Sequence, residues 1–318
     1  MHMADALLSP AVGGVMWGAT AVTTVYCARK VRDDLDESKI PLMGVAGAFV
    51  FAAQMLNFAI PGTGSSGHLG GALILAILLG PHAAFLVMAS ILAVQALFFA
   101  DGGLLALGAN IFNLGFFPAF IAYPYVYRKI VGDGPGFSRG RVVTGSLLAA
   151  VVGLQLGAFA VVLETTASGI SALPFSTFVL LMQPIHLAIG VVEGVVTAAV
   201  VLYVLRAQPE LLERTATGKP LTGLSLKPVV AALAIGALLA GGTLAWFASS
   251  DADGLEWSIA KVTGTEEELE AASATHETAA ELQESIAVLP DIAACTACCA
   301  SCEQYTLSCA FAGTLRMM

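Results

Sequence analysis

The residues best equipped for chemistry are two histidines far apart in the chain. His2 follows Met1, and His68 closes the run Asn57-Phe58-Ala59-Ile60-Pro61-Gly62-Thr63-Gly64-Ser65-Ser66-Gly67-His68. A chain beginning X-His offers one cation its terminal amine, the amide nitrogen of residue 2 and that residue's imidazole, closing two small chelate rings. One more nitrogen, from His68, completes a plane of four. Planar nitrogen coordination suits nickel(II) or copper(II), with neighbouring divalent ions also accepted. A Met-His start and a lone histidine near a membrane surface also arise as packing features, so the remainder of the chain has to decide.

The elements that must position these groups are membrane helices. Of 318 residues, 57% are hydrophobic and 12% charged, and the mean hydropathy is +0.83; soluble domains carry about 25% charged residues. The expected fold is all-α, a polytopic helical bundle. No basic residue precedes the first apolar run and no small-residue cleavage site follows it closely, so no signal peptide is read and the amino terminus is expected to be mature as written. The 33 glycines suit close helix approach in lipid.

Apolar segments run over 9–28, 40–60, 68–79, 82–100, 104–127, 142–167, 178–205 and 228–249, with a weaker ninth at 292–313. Spanning takes about 20 residues, so 68–79 is short. Counting it as a separate span puts the connections bearing Arg29, Lys30, Arg32 and Lys39, then Arg128, Lys129, Arg139 and Arg141, then Arg206, Arg214, Lys219 and Lys227 on one face. Twelve of the fourteen Lys and Arg then lie together, as the positive-inside rule asks. The expectation is about seven core spans plus one or two carboxyl-terminal ones, with the amino terminus outside. Met1-His2 and the 61–67 loop then share the outer face. A Gly/Ser-rich loop entering a short helix is tolerated at depth only where protein or a water-filled cavity receives it, and such a loop carries His68 inward.

Gln54, Asn57, Gln95, Asn110, Asn113, Glu164, His186 and Glu193 are polar groups inside apolar segments, expected to face the bundle interior. Gln54, Asn57 and Ser66 are the candidates to support a ligating imidazole, whose second nitrogen needs a partner. His82 sits at a span junction on the opposite side and is not expected to be a ligand. Gly14-x3-Gly18 and Gly190-x3-Gly194 are close-packing faces; the first is the choice for meeting a separate membrane subunit. The segment 251–291 holds eleven acids against Lys261, a run that reads as a solvated face and could also attract divalent cations. Five of the six cysteines fall in the last 24 residues. Cys295-x2-Cys298 abuts Cys299-x2-Cys302, a spacing known for zinc or iron–sulfur sites, but no supporting domain surrounds it.

Met1-His2 with Leu7-Leu8-Ser9, the Gly-Ser-Ser-Gly-His68-Leu-Gly-Gly loop, Leu79-Gly80-Pro81, Phe98-Phe99-Ala100-Asp101-Gly102-Gly103 and Gly108-Ala109-Asn110-Ile111-Phe112-Asn113 together resemble the CbiM/NikM family. These are substrate-binding (S) components of energy-coupling-factor transporters for cobalt and nickel, and the resemblance covers roughly residues 1–206. It implies a near-planar nitrogen site on Met1, His2 and His68. It also implies Ni2+ or Co2+ as transported substrate with no permanently bound cofactor, and a bacterial inner-membrane location. Two ATPase subunits and a transmembrane coupling (T) subunit are the implied partners besides lipid, and no nucleic acid is expected. Residues 228–291 resemble the small partner component of these systems, fused here. Asp253-Gly254-Leu255-Glu256-Trp257 is similar to its PDGLE motif, with Ala252 in place of the proline. The expected division is 1–206 membrane domain, 207–227 linker, 228–291 accessory segment and 292–318 cysteine-rich tail.

The chain has no Gly-x4-Gly-Lys-Ser/Thr phosphate loop, so ATP hydrolysis is expected elsewhere and no catalytic residue is assigned. The rival reading is a self-contained cation channel or secondary transporter; against it, no inverted repeat is evident and intramembrane acids are few. A third is a membrane enzyme or redox protein using the cysteine tail.

Overall fold

The computed structural model describes residues 2–34, 36–133, 136–171, 173–264 and 273–289. Met1, the acids at 266–270, Asp291 and the cysteine-rich tail, including the weak ninth apolar segment, lie outside them. In lipid every backbone polar group must find a partner within its own segment, and the described chain is accordingly almost all helix. Among the described residues, four helices are long and apolar enough to cross a membrane: α1 (Pro10–Asp33), α4 (Pro81–Phe99), α7 (Arg139–Ser168) and α8 (Phe175–Ala207). Two shorter apolar helices, α2 (Lys39–Gln54) and α10 (Lys227–Gly242), pack against each other.

The short third segment is the centre of the bundle. Its helix, α3 (Ala72–Leu79), has eight residues, every one buried, and at 1.5 Å per residue it is only about 12 Å long. A helix apolar on all sides belongs inside a bundle, and α3 touches α2, α4, α7 and α8. Gly71 opens it at φ +78°, where a Cβ would also lie 2.5 Å from Val50 Cγ1; no other residue suits both demands. At its far end Gly80 and Pro81 turn the chain, and α4 folds back along α3. The two are thus separate helices, not one kinked rod.

Two apolar segments differ from plain helices. Segment 40–60 is helical only to Gln54; Phe58–Ile60 (β1) instead pairs antiparallel with Ser65–Gly67 (β2), in the register Phe58↔Gly67 and Ile60↔Ser65. Pro61 and the glycines after it favour a reversal there over continued helix. Segment 104–127 begins as α5 (Leu107–Ile111), widens into a π-helix over Phe112–Tyr127 that contains Pro118 and Pro124, and ends as α6 (Arg128–Val131).

α7 and α8 form the closest helix pair. A Cβ on Gly190 would lie 2.9 Å from Val151 Cα, and one on Gly194 2.6 Å from Leu147 Cα, so that small-residue face is consumed internally. The matching face on α1 is not: Gly14 and Gly18 have open space beside them.

The basic connections gather at one end. Asp36 Oδ2 accepts from Leu221 N and Oδ1 from Thr222 Oγ1, and Asp133 shares a surface cavity with Arg214 and Lys219. There the amphipathic α9 (Pro209–Thr217) buries Leu211, Leu212 and Thr215, with Thr215 Oγ1 donating to Leu78 O at 3.1 Å.

At the opposite end the accessory segment doubles back over the bundle. After α10, Ser249 N donates to Asn57 O at 2.8 Å and Ser66 N to Ala252 O at 2.8 Å. Helix α11 (Gly254–Thr263) starts at a capping box: Asp253 accepts from Leu255 N and Glu256 N, while Glu256 returns a bond to Asp253 N. Helix α12 (Ala274–Ile286) docks through His276, whose Nε2 donates to Leu8 O at 2.8 Å, and through Gln283, whose Nε2 donates to Ala96 O and Gly102 O. The acids of α12, Glu277, Glu281 and Glu284, are exposed, as expected of a solvated acidic face, while the other side of the helix docks and buries His276 and Gln283.

Candidate metal centre

The amino-terminal arm reaches the histidine end of the bundle because Asn110 holds it. Met3 N donates to Asn110 Oδ1 at 2.8 Å, and Asn110 Nδ2 returns a bond to Met3 O at 3.2 Å. Gly103 N also donates to Met3 O, at 3.0 Å, and Ala106 N to Asp5 Oδ1 at 2.9 Å. A Cβ on Gly102 would crowd Asn110 Nδ2 at 2.9 Å and His2 Cβ at 3.2 Å, and one on Gly103 would strike Asp5. The Ala100-Asp101-Gly102-Gly103 turn is therefore a seat shaped for residues 2–5. On that seat His2 Nδ1 lies 2.9 Å from Asp101 Oδ1. Burial alone would raise the Asp101 carboxyl, but the charge and hydrogen bond of His2 outweigh it and hold it at about 2.

His68 is positioned by what clamps its loop on either side. Before it, Ser66 is paired with Ala59 in the hairpin, and its Oγ donates to Asp251 O at 2.8 Å; Trp257 Nε1 donates to Thr63 O at 3.0 Å. After it, the Glu193 carboxylate accepts from Gly70 N at 2.7 Å and Gly71 N at 3.2 Å. Gln54 Nε2 donates to Gly70 O at 2.7 Å, and Gln54 Oε1 accepts from Gln95 Nε2 at 3.0 Å. One buried carboxyl group thus holds two successive backbone amides of the loop.

Between these clamps the two rings meet. The His2 and His68 imidazoles are stacked, with centroids 4.9 Å apart and planes 11° from parallel. His68 Nδ1–H donates to Leu69 O at 3.1 Å, which leaves the lone pair on Nε2. His2 Nδ1 faces Asp101, and its buried Nε2 has no hydrogen-bond partner. An unpaired buried polar atom normally costs about 1–3 kcal/mol and calls for an explanation. Among the described residues no three His, Cys, Asp or Glu side chains converge closely enough to hold an ion by themselves, so a centre here has to draw on backbone nitrogens as well.

The sequence candidates are thus distributed as follows. His2 and His68 are brought together. Gln54 and Ser66 hold the loop backbone on either side of His68, and Asn57 contributes its carbonyl to Ser249. The imidazole nitrogens themselves are held by Asp101 and Leu69 O. Asp101 and Asn110 were visible as motif residues, and Glu193 as an interior acid, but the contacts that give them work lie more than a hundred residues away in sequence for Asn110 and Glu193. Gly14 and Gly18 lie apart from the site, and His82 sits between Tyr26 and Phe120.

This geometry coincides with a family match. The family described as cobalt uptake substrate-specific transmembrane region, CbiM, matches residues 2–211. The chain belongs to this family. A second match, the PDGLE domain, covers residues 227–298, so the CbiM region and its accessory segment are fused in one polypeptide. The fused nickel transport protein NikMN of Rhodobacter capsulatus is 36% identical over 77% of this chain and 74% of its own length. The cobalt transport protein CbiM of Sorangium cellulosum is 30% identical over 67% of this chain and 95% of its own. A crystal structure of a truncated transition metal transporter shares 32% identity, with a TM-score of 0.57 over 65% of this chain and 99% of that one. CbiM proteins are membrane components of metal transport and not enzymes.

Proposed function

We propose that the chain is the metal-capture subunit of an ATP-driven uptake system for nickel or cobalt, with residues 1–206 as the capture domain and 228–291 as its accessory cover. The observation that carries this reading is the stacked pair of His2 and His68, two rings from distant parts of the chain brought together and each held at Nδ1. The ligand set is the terminal amine of Met1, the amide nitrogen and imidazole of His2, and His68 Nε2. Small-ring chelation by His2 uses Nδ1, so ion entry exchanges the Asp101 contact for the metal and turns the imidazole within its seat. A plane of four nitrogens favours nickel, and a less regular field admits cobalt.

The gathered basic end supports a cytoplasmic assignment under the positive-inside rule, which puts the amino terminus and the histidines outside, at the plasma membrane. Energy comes from separate ATPase subunits acting through a transmembrane coupling subunit. The open Gly14 and Gly18 face of α1 suits that partner, because small residues let membrane helices approach closely.

The test compares an amino-terminally extended chain with a carboxyl-terminally tagged one, both confirmed intact by mass spectrometry and titrated with Ni2+ and Co2+. Extension converts the terminal amine to an amide, and the tight site should disappear although every side chain remains. Equal affinity in the two forms would eliminate the chelate and leave a conventional two-histidine site.

A further inference from the structure

A third histidine lines a small cavity together with His68. His186, on α8, is 1% exposed, and its Nδ1 is 2.8 Å from Met182 O. A carbonyl only accepts, so Nδ1 carries the proton and Nε2 carries a bare lone pair. That nitrogen is buried and has no hydrogen-bond partner. His186, His68, Gly67, Ile189, Asp253 and Gly254 are among the residues lining this small cavity of about 10 Å³, room for about one water-sized occupant.

The surrounding backbone is arranged to keep this space. A Cβ on Gly254 would collide with Ile185 and would lie 3.4 Å from His186 Cε1, so glycine at the start of α11 lets the accessory segment close over the ring. Two turns further along α8, Glu193 holds Gly70 and Gly71. The same helix therefore fixes the His68 loop and presents the unpaired imidazole beside it. If His186 were only a packing residue, a carbon ring would fill the volume without leaving a lone pair unsatisfied in an apolar bundle, which costs about 1–3 kcal/mol.

We propose that this cavity is an inner position for the transported divalent cation, with His186 Nε2 as its donor and His68 as the ligand passed between it and the outer plane. The inference rests on the reading of the chain as a metal-capture subunit and names the next station of the ion. Metal–imidazole bonds are about 2 Å long, and both rings line the space a dehydrated ion would enter. Two imidazoles hold it more weakly than a four-nitrogen chelate, and an ion leaving the outer plane inward needs that weaker hold. The step is ligand exchange alone: the bonds to Met1 and His2 break, a bond to His186 forms, and no electron is transferred.

The test uses the full chain with a free amino terminus, titrated with Ni2+ alone and with Co2+ alone. Four forms are compared: wild type, H186N, H2A and the H2A/H186N double variant. Asparagine at 186 can still donate an amide N–H to Met182 O while removing the far nitrogen. H186N should keep the tight outer site within about threefold. H2A should retain one equivalent bound about tenfold or more weakly, the scale of losses when a metal's surroundings are altered, and X-ray absorption should count two imidazoles on it. The double variant should lose that residual site. Identical binding by H2A and the double variant, or a single imidazole on the metal in H2A, would overturn the inner position and leave a cavity that holds water. Should H186N fail to fold, the imidazole count in H2A alone decides. Absence of binding by the wild type would instead sink the metal-capture reading itself, so the two failures are distinguishable.

Discussion

The imidazole planes of His2 and His68 lie within 11° of parallel at 4.9 Å, although one ring rides on the amino-terminal arm and the other on a loop beyond the second helix. Neither element would hold its ring alone. The arm depends on Asn110 and Asp101, and the loop on Glu193, Gln54 and Ser66, so the stack is a product of five separate stretches of chain.

Replacing His68 with alanine should abolish tight Ni2+ and Co2+ binding and leave expression and thermal stability largely intact, because the loop backbone is held by other residues. H82A is the matched control: its ring packs between Tyr26 and Phe120, and metal stoichiometry should stay at the wild-type value. Wild-type affinity in H68A would remove His68 from the site.

E193Q should weaken metal binding about tenfold, or about 1.4 kcal/mol, without touching any ligand. Glutamine keeps one acceptor oxygen and sets an amide N–H against the second glycine N–H, so the clamp on Gly70 and Gly71 is halved. Isothermal titration against wild type checks this; unchanged affinity would mean that the hairpin and Gln54 suffice to hold the loop.

The pH dependence separates two events. Asp101 is held at about 2 by His2, below the ordinary 3.8, so its contribution to stability is fully present above 3.8 and is lost only as pH falls through about 2. Metal binding needs a deprotonated terminal amine and backbone amide, and an ordinary α-amine takes up its proton near pH ~8. Metal content should therefore fall between pH 7 and 5, as protons compete with the ion, while the melting temperature of the metal-free chain is not lowered there by the Asp101 contact. Measuring both on the same samples checks this; an Asp101→Asn form whose melting temperature differed from wild type only below pH 4 would count against it.

Truncation after Asp291 should leave metal binding unchanged, since every proposed donor lies within residues 1–68 or on α8. Loss of the metal from the truncated chain, measured by elemental analysis after gel filtration, would bring the cysteine tail into the site.

Hydropathy alone carried much of this architecture: long apolar runs have one solution in lipid, and α1, α4, α7 and α8 follow from it. The short third segment and the glycine–serine loop ahead of it were also legible, because their composition is costly anywhere but inside a bundle. What escaped was structure whose cause is non-local. Residues 58–60 look helical until 65–67 fold back on them. The π-helix over Phe112–Tyr127 has no apolar period that distinguishes it from α-helix. His276 and Gln283 sit in a polar, acidic stretch, and only the carbonyls they reach on Leu8, Ala96 and Gly102 reveal that the stretch is docked. Glu193 was legible as an interior acid, yet nothing in its own neighbourhood names Gly70 and Gly71 as its partners.

The complete burial of α3 bears on how the chain enters the membrane during synthesis. At eight residues it is far below the length of about 20 that inserts as an independent span, and its loop leaves the ribosome long before the Glu193 that anchors it. The Gly70 and Gly71 amides therefore have no carboxylate to bind until α8 has been delivered. Until then α3 must wait against α2 and α4, its glycine-rich entrance unfixed. On the proposed reading, a nascent chain cannot hold a metal ion in place early, however soon His2 and His68 have been made, and capture becomes possible only once the bundle is nearly complete.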